Sequence, residues 1–436
     1  MQRVLIKELR NYIGKTVRIS GWAQTIRNQK TMQFIVMRDH TGWAQLVHEK
    51  QEQSDNIGES VSGLTAESVV NITGTVITNE QVKLGGIEIV IESIEILSMA
   101  PPQLPIGKNA SLETRMDWRF VDLRSPANHL IFRVQTAIEY AMRIFWQDNG
   151  FIEIHSPKLM ETASESGGEL FAVDYFDRKA YLAQSPQFYK QMAMAAGFNR
   201  VFEIGPVFRA NPSFTSRHDT EFTSVDVEIS FIESHEDIMR FEEEWLRFVL
   251  QEINTIYGAK IKETFGMEVK IPETPFPRIT MEKAHEILAQ RGYSVPDSEK
   301  GDLNPEGERL LSAYVQEQLG HEFVFVVDYP ATARPFYHMR YDDQPDITKS
   351  FDLIWRGLEI TTGAQREHRH DILVRQAKAK GLSLEPLQNY LNFFQYGCPP
   401  HGGYGFGLTR MLMLLLGFKN VREVTYLYRG PNRLSP

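Results

Sequence analysis

The chain has 436 residues, of which 47 are Lys or Arg and 56 are Asp or Glu, so its formal net charge is −9. A hydrophobic fraction of 42% and a charged fraction of 24% exclude a wholly disordered protein and are typical of a globular protein with two or three domains. The single cysteine, Cys398, excludes a disulfide framework and a cysteine-rich zinc site, and it fits a reducing compartment.

The sequence contains no run of about 20 apolar residues, and its first residues lack the apolar stretch of a secretory signal. We therefore expect a cytoplasmic protein without a membrane partner. The negative total charge argues against general nucleic-acid binding. That charge is unevenly distributed, however: residues 1–50 carry +6 and residues 51–100 carry −7. The basic first segment leaves room for a local anionic partner.

Residues 15–95 contain five β-rich runs with partial alternation of apolar and polar residues. Turn residues separate them at Asn28-Gln29, at 40–42 and at Gly85-Gly86. Five short strands in about 80 residues predict a small β-barrel, and we expect an OB-fold domain over residues 1–100. Barrels of this type commonly bind single-stranded nucleic acid.

The Pro-rich, aperiodic stretch 99–110 indicates a linker, which we place at 101–127, before a second domain at 128–436. Apolar residues recur every three or four positions from Ile131 to Phe145 and predict an amphipathic helix that ends at Asn149-Gly150. A strand containing Pro157 follows at 151–159. Strands and helices alternate irregularly beyond it, so we expect an α+β architecture built on an antiparallel sheet.

Residues 205–231 predict two strands joined by a polar loop, with Arg209 on the first and Phe222 on the second. Such a hairpin can aim both side chains into one cleft. Arg is suited to bidentate phosphate contacts and Phe to stacking on a base. A surface hairpin with a solvated arginine is the alternative interpretation.

Two later segments add to this pattern. Residues 401–417 combine a glycine-rich strand with a helix that carries Arg410. In residues 351–371, Asp352 and Glu359 offer the hard oxygen ligands that a divalent cation needs, and Arg366 follows. Each segment alone also fits a purely structural explanation. Residues 401–417 could be a glycine-rich strand packed tightly on a helix, and residues 351–371 could be a strand with charges on its solvent-exposed face. Neither a P-loop nor a strand-linked GxGxxG is present.

Taken in order, these segments resemble the class II aminoacyl-tRNA synthetases, with motif 1 near 131–159, motif 2 near 205–231 and motif 3 near 401–417. The stretches YLAQSPQFYKQMAMA, RPFYHMRYDD and GAQREHRHD are similar to the aspartate subgroup of the archaeal and eukaryotic type. The bacterial type carries a large insertion in the catalytic domain, for which this chain has no room. The resemblance covers nearly the whole chain.

The resemblance implies ATP as a substrate with Mg²⁺. It implies that Arg209 holds the α-phosphate, that Phe222 and Arg410 sandwich the adenine, and that Arg217 and His218 meet the γ-phosphate. Glu359 and Asp352, with Thr362, hold the metal. The catalytic residues are thus Arg209, Arg410 and Glu359. One departure concerns the family's Phe-Arg-x-Glu, because Asn211 stands where the glutamate contacts adenine; its amide oxygen can still accept that hydrogen bond.

For the amino acid, the resemblance implies that Glu165 and Asp226 bind the ammonium group with help from Gln187. Lys190 and Arg366, with Thr362 nearby, bind the side-chain carboxylate of L-aspartate. Asparaginyl-tRNA synthetases typically carry an apolar residue at the position of Lys190, because a buried cation facing a neutral amide lacks a charge partner. We therefore expect aspartate as the amino acid.

For tRNA, the resemblance implies that Phe34 stacks on the central anticodon base while Gln45 and Glu88 read neighbouring base edges. Gln24 stands where enzymes strict for tRNA(Asp) tend to carry Trp, which favours an enzyme that also charges tRNA(Asn) for later amidation by an amidotransferase partner. Motif 1 forms the dimer interface in this class, so we expect a homodimer.

Three alternatives remain open. An asparaginyl-tRNA synthetase is disfavoured by Lys190. A synthetase-derived amidotransferase or asparagine synthetase lacks the anticodon barrel, which this chain retains. A non-catalytic RNA-binding module would be expected to have lost Arg209, Glu359 or Arg410, and all three are present.

Overall fold

A computed structural model describes residues 2–51, 55–107, 109–162, 170–212, 215–296 and 301–436. The chain forms two compact units, Met1–Lys108 and Asn109–Pro436. The linker expected over residues 101–127 is too long, since two short helices within it belong to the second unit: α2 (Leu112–Asp117) and α3 (Arg119–Asp122). The side chain of Ser111 caps α2 by accepting a hydrogen bond from the backbone N–H of Thr114. Because a Pro-rich stretch precedes Ser111, the sequence did not reveal that a helix starts here.

The first unit is a closed five-stranded barrel in the order β1-β2-β3-β5-β4, which confirms the predicted OB-fold. Its strands are β1 (Thr16–Asn28), β2 (Met32–Arg38), β3 (Trp43–Glu49), β4 (Ser68–Thr78) and β5 (Ile87–Ser98). A 3₁₀ helix (Ile6–Tyr12) precedes them, and α1 (Asn56–Gly63) connects β3 to β4. Alternation along β2 buries one of its faces: Ile35 and Met37 lie in the barrel core, whereas Phe34 lies on the outer face and is half-buried.

The second unit contains an eight-stranded sheet in the order β12-β13-β14-β15-β16-β11-β10-β6, and a three-stranded sheet in the order β7-β9-β8. The central strands β13 to β10 are antiparallel throughout, as expected, and the two edge pairs are parallel. The strands are β6 (Ile152–Glu153), β7 (Leu159–Met160), β8 (Ala172–Tyr175), β9 (Arg178–Leu182), β10 (Arg200–Phe208), β11 (Glu221–Ser230), β12 (Arg278–Thr280), β13 (Phe323–Val327), β14 (Ser350–Trp355), β15 (Leu358–Arg366) and β16 (His401–Gly407).

Helices cover this sheet and supply most of the core of the second unit. They are α4 (Pro126–Asp148), α5 (Gln187–Ala195), α6 (His235–Phe265), α7 (Met281–Gln290), α8 (Pro305–Leu319), α9 (His370–Ala379), α10 (Gln388–Gln395), α11 (Leu408–Leu416) and α12 (Val421–Val424). Trp146 of α4 and Trp245 of α6 are fully buried with ring centroids 5.6 Å apart, so the predicted motif 1 helix anchors one side of the sheet.

The single strand predicted over 151–159 is wrong. The segment forms two two-residue strands, β6 and β7, which belong to different sheets. Pro157 lies between them. A proline has no backbone N–H to donate to a sheet, and it restricts the backbone conformation of the residue before it. In the described part of the chain, no helix is both long enough and apolar enough to cross a membrane.

Candidate active site

A row of residues runs across the middle of the large sheet. Strand register pairs Asp352 with Thr362, Thr362 with Gly405, and Gly405 with Asp226. Residues paired across neighbouring strands project from the same face. Residues far apart in the sequence, including three predicted site residues, therefore share one face of the sheet.

Glu359 joins this face because β15 contains an irregularity. The register shifts between Leu353 and Ile354 of β14, where Ile354 pairs with Glu359 and Leu353 with Thr361. In a regular strand, Glu359 and Thr362 would point to opposite faces. Instead, Thr362 Oγ1 donates a hydrogen bond to Glu359 Oε1 over 3.2 Å, so the bulge turns the carboxylate towards the site.

The glycines of β16 are needed at their positions for different structural reasons. A Cβ on Gly403 would lie 2.0 Å from the carbonyl oxygen of Val227 and 2.4 Å from Glu228 Oε2, so this glycine makes room for a buried carboxylate. A Cβ on Gly402 would meet Ile232 and Ile238 instead, on the core side. Gly405 and Gly407 line a cavity. Gly402 and Gly403 are therefore explained by packing, and the two later glycines by their place at the cavity.

The cavity above this face has a volume of about 330 Å³. Eleven of the predicted site residues line it: Gln187, Arg209, Asn211, Arg217, His218, Phe222, Asp226, Glu359, Thr362, Arg366 and Arg410. Lys190 and Asp352 are buried but do not line the cavity, and Glu165 lies outside the described residues. The structure therefore brings residues from strands β11 and β15, from helices α5 and α11 and from the loop after β10 into one space.

Three arginines surround His218. Burial lowers the pKa of this imidazole to about 4, and the charges of Arg410, Arg217 and Arg209 contribute to the shift after it. His218 is therefore neutral near pH 7, and its Nδ1 lies 2.6 Å from Thr215 Oγ1. The guanidinium of Arg209 lies 5.5 Å from the ring centroid of Phe222. This part of the cavity combines positive charge with an aromatic face.

Arg410 and Arg217 are each held by a carboxylate. Arg410 Nη1 donates to the backbone oxygen of Glu359 over 2.8 Å and to its Oε1 over 3.3 Å. Arg217 Nη1 donates to Glu308 Oε2 over 2.9 Å. Burial and the charge of Glu359 raise the pKa of Glu308 to about 7, while Arg217 opposes that shift.

The predicted metal ligands form an oxygen-rich pair of carboxylates. Asp352 Oδ2 accepts a hydrogen bond from Arg334 Nη2 over 2.5 Å, and its buried Oδ1 has no partner among the described residues. Burial raises the pKa of Asp352, Arg334 lowers it and Glu359 raises it further. The described residues contain no cluster of three or more His, Cys, Asp or Glu arranged for a metal. Two carboxylates nevertheless fit Mg²⁺ where substrate phosphates supply the other ligands.

Four charged side chains form a buried network beside the cavity. Lys190 Nζ donates to Asp226 Oδ1 over 2.9 Å and to the backbone oxygen of Tyr404 over 3.0 Å, and it lies 3.4 Å from Glu228 Oε2. Arg366 Nε donates to Glu228 Oε1 over 3.0 Å. Two cations thus face two carboxylates, which is how buried charges are accommodated. Lys190 thus has two hydrogen bonds and one longer ion pair within the protein.

Several residues at the site were not selected from the sequence. Asp219, Arg334 and His338 line the cavity, and Glu308 of α8 contacts it through Arg217. Burial raises the pKa of Asp219 to about 7. Arg334 and His338 fall in the stretch RPFYHMRYDD, which the resemblance had already marked. Nothing in the sequence singled out Glu308, because α8 lies far from every motif.

The four predicted anticodon residues lie on the barrel. Phe34 projects from the outer face of β2. Gln45 Nε2 donates to Glu88 Oε2 over 3.0 Å, and Asn79 donates to the other oxygen of Glu88 over 2.8 Å. Gln24 Oε1 accepts a hydrogen bond from Trp43 Nε1 over 2.7 Å. Both carboxylate oxygens of Glu88 thus already have protein partners.

Comparison with known proteins identifies both units of the chain. The family described as tRNA synthetases class II (D, K and N) matches residues 111–429, and the OB-fold nucleic acid binding domain matches residues 17–97. The chain is 43% identical to the aspartate–tRNA(Asp) ligase of Pyrococcus horikoshii, over 97% of each chain. It is 46% identical to the aspartate–tRNA(Asp/Asn) ligase of Methanopyrus kandleri, over 97% of this chain and 96% of that one.

Solved structures show the same fold. Asparaginyl-tRNA synthetase of Pyrococcus horikoshii, complexed with asparaginyl-adenylate, superposes with a TM-score of 0.93 at 31% identity over 100% of both chains. Aspartyl-tRNA synthetase of Entamoeba histolytica superposes with a TM-score of 0.88 at 32% identity, over 100% of this chain and 93% of that one. Together with the match over 111–429, these findings show that the chain belongs to the class II tRNA synthetases.

Proposed function

We propose that this protein joins L-aspartate to tRNA through an aspartyl-adenylate, and that it accepts both tRNA(Asp) and tRNA(Asn). The observation that carries the proposal is one cavity that holds two groups of cations. Arg209, Arg217 and Arg410 surround one part of it, and Arg366 lines it beside the buried network with Lys190. Such a cavity suits two anionic substrates that must meet.

In the first step, an α-carboxylate oxygen of aspartate attacks the α-phosphorus of ATP. A new P–O bond forms, and the bond to the pyrophosphate oxygen breaks. Negative charge builds up on the phosphoryl oxygens, so fixed cations accelerate the step. Arg209 would bind the α-phosphate, Phe222 and Arg410 would enclose the adenine with Asn211 at its amino group, and Arg217 would meet the γ-phosphate. His218, being neutral, would act there as a hydrogen-bonding group.

Mg²⁺ would supply charge neutralisation across the phosphates. Glu359 and Asp352 would hold it, with Thr362 orienting the carboxylate of Glu359. Glu359, which lines the cavity, would be the first ligand, and the buried Asp352 would be the second.

At the amino-acid end, Asp226 would bind the ammonium group, with Gln187 and Glu165 assisting. Lys190 and Arg366 would bind the side-chain carboxylate. Lys190 can do so only by exchanging one of its present partners, Asp226 or Glu228, for the substrate. The second step is attack by a terminal ribose hydroxyl of tRNA on the acyl carbon, which forms the ester and releases AMP.

Aspartate-dependent exchange of labelled pyrophosphate into ATP tests the first step, with asparagine as the competing amino acid. Exchange with aspartate at least about a hundredfold faster than with asparagine supports the proposal, since a site built around charged partners rejects an analogue that leaves them unpaired. Faster exchange with asparagine would make the protein an asparaginyl-tRNA synthetase, which is the second candidate because such enzymes share the fold.

Acceptance of tRNA(Asn) rests on Gln24 and on relatives of both kinds, strict and dual. Charging unmodified transcripts of tRNA(Asp) and tRNA(Asn) with aspartate tests it directly. We expect both to be charged, and we expect Gln24→Trp to reduce charging of tRNA(Asn) more than that of tRNA(Asp). Gln24→Asn, which keeps the amide, is the matched control. Charging of tRNA(Asp) alone by the unaltered protein would contradict the dual specificity.

We also infer a cytoplasmic homodimer, and an amidotransferase that converts any aspartyl-tRNA(Asn). Tyr140 of α4 and Ile152 of β6, both in motif 1, are 65% and 49% exposed, as apolar interface side chains are in a separated protomer. Light scattering tests the dimer. A protomer mass at micromolar concentration would contradict it.

A further inference from the structure

His338 stands beside Arg366 for reasons that do not depend on its own side chain. The two residues form an isolated antiparallel bridge next to the end of β15. On either side, the backbone N–H of Met339 donates to Gln365 over 2.9 Å, and that of Glu367 donates to Tyr337 over 2.9 Å. The backbone therefore places residue 338 at the amino-acid end of the cavity, and the side chain can be changed without removing this pairing.

The imidazole of His338 is 3% exposed and lines the cavity. Arg366 Nη1 lies 3.1 Å from His338 Nε2. A guanidinium has only donors, so Nε2 must be the acceptor and the imidazole must be neutral, with its proton on Nδ1. Burial, together with the charges of Arg366, Arg334 and Lys190, holds the pKa of His338 far below its ordinary value.

The remaining donors of Arg366 are nearly all committed. Nε and Nη2 donate to the two oxygens of Glu228, over 3.0 and 3.4 Å, and Nη2 also donates to the backbone oxygen of Gly403 over 3.0 Å. With His338 on Nη1, four of the five N–H groups have acceptors within the described part of the chain. One N–H on Nη1 is left for a ligand in the cavity, and its direction is fixed because the guanidinium is planar.

We propose that His338 is a positioning residue for amino-acid recognition: its Nε2 holds Nη1 of Arg366 so that the remaining N–H faces the side-chain carboxylate of aspartate. This inference rests on the proposed function, in which Arg366 binds that carboxylate. It differs from the set of site residues already named, because His338 acts through Arg366. Without this acceptor, only Glu228 and the backbone oxygen of Gly403 hold the guanidinium, through Nε and Nη2, and Arg366 binds the carboxylate less well.

Two amides of different reach test the assignment. The glutamine amide in His338→Gln reaches about as far as Nε2 and can accept from Arg366, whereas His338→Asn places its amide near the position of Nδ1. His338→Leu removes the acceptor at similar volume. We expect His338→Leu and His338→Asn to raise the KM for aspartate at least about tenfold in pyrophosphate exchange, with the KM for ATP changed less than about twofold. His338→Gln should recover most of this loss.

Equal rises in both KM values, or equal behaviour of the Gln and Asn variants, would overturn the inference. If the Leu variant does not fold, the comparison of Gln with Asn still decides the outcome, since both carry the same amide. Absence of aspartate-dependent exchange in the unaltered protein would instead contradict the proposed function, so the two failures are distinguishable.

Discussion

Thr362 Oγ1 donates a hydrogen bond to Glu359 Oε1 over 3.2 Å, so both side chains lie on the same face of β15. A spacing of three residues would place them on opposite faces of a regular strand. The bulge opposite Leu353 and Ile354 causes the exception. It also brings Glu359 within reach of Arg410, whose Nη1 donates to it. One irregular residue thus connects a carboxylate of β15 with the arginine of motif 3.

Glu359→Gln tests the proposed metal site. A neutral amide binds Mg²⁺ more weakly than a carboxylate, so we expect the Mg²⁺ concentration for half-maximal pyrophosphate exchange to rise at least about tenfold. Glu221→Gln, on an exposed residue of β11, is the matched control and should leave this concentration unchanged. An unchanged Mg²⁺ requirement in Glu359→Gln would remove Glu359 from the metal site.

Lys190→Leu tests the buried network. The change leaves Asp226 without its cation, and removing one partner of a buried pair costs about 3–5 kcal/mol of stability. We expect a lower urea midpoint and loss of aspartate-dependent exchange even where the variant is folded. Lys262→Leu removes a cation from a pair that is exposed on both sides and should change the midpoint little. Near-normal exchange in Lys190→Leu would exclude Lys190 from aspartate binding.

Phe222→Leu tests the adenine contact. Stacking of a base on an aromatic ring contributes about 1–3 kcal/mol, so we expect the KM for ATP to rise by about five- to a hundredfold. The KM for aspartate should stay within about twofold. Phe222→Tyr keeps the ring and serves as the control. A selective rise in the KM for aspartate would show that the ring belongs to the other end of the cavity.

Glu242 of α6 predicts a pH dependence of stability. It is fully buried, it accepts a hydrogen bond from Thr361 Oγ1, and burial raises its pKa to about 8. Because the folded state keeps this proton and the unfolded state releases it near pH 4.5, the contribution is fully present below about pH 4.5 and is lost as the pH rises to about 8. Glu242→Gln should remove this loss, which is on the order of several kcal/mol.

Urea unfolding between pH 5 and 8 measures the effect as a flatter stability profile in Glu242→Gln than in the unaltered protein. Glu263→Gln, on an exposed residue of the same helix, should leave the profile unchanged. Parallel profiles for the unaltered protein and Glu242→Gln would show that Glu242 is ionised in the folded state.

The barrel was predictable because its strands alternate and its turns contain glycine and polar residues at the right places. Helix α4 was equally clear from its apolar spacing. The pairing between distant strands could not be predicted in this way, because no local feature of the sequence indicates that Thr362 pairs with Gly405. The resemblance replaced that missing information for most site residues.

Other parts of the site could not be predicted for physical reasons. The bulge at Glu359 has no local sequence signature, and the contact of Glu308 with Arg217 spans 91 positions of the chain. Whether a cation faces the cavity or another side chain is decided by packing; Lys190, for example, donates to Asp226 and to the backbone oxygen of Tyr404 and does not line the cavity. The role of His338 depended on a hydrogen bond that its own segment did not reveal.

The closed barrel also limits how an RNA can be recognised. Its strands follow one another around a complete ring, with β3 beside β5 and β4 beside β1. Across the described residues of this ring, every strand pairs with two neighbours, although β3 and β5 pair over only three residues, Gln45–Val47 with Glu88–Val90. Such a ring leaves little open backbone edge to which another strand or an extended ligand can add. We therefore expect side chains on the outer face, such as Phe34, to supply much of the discrimination among bases, so that single substitutions can change it while the ring stays intact.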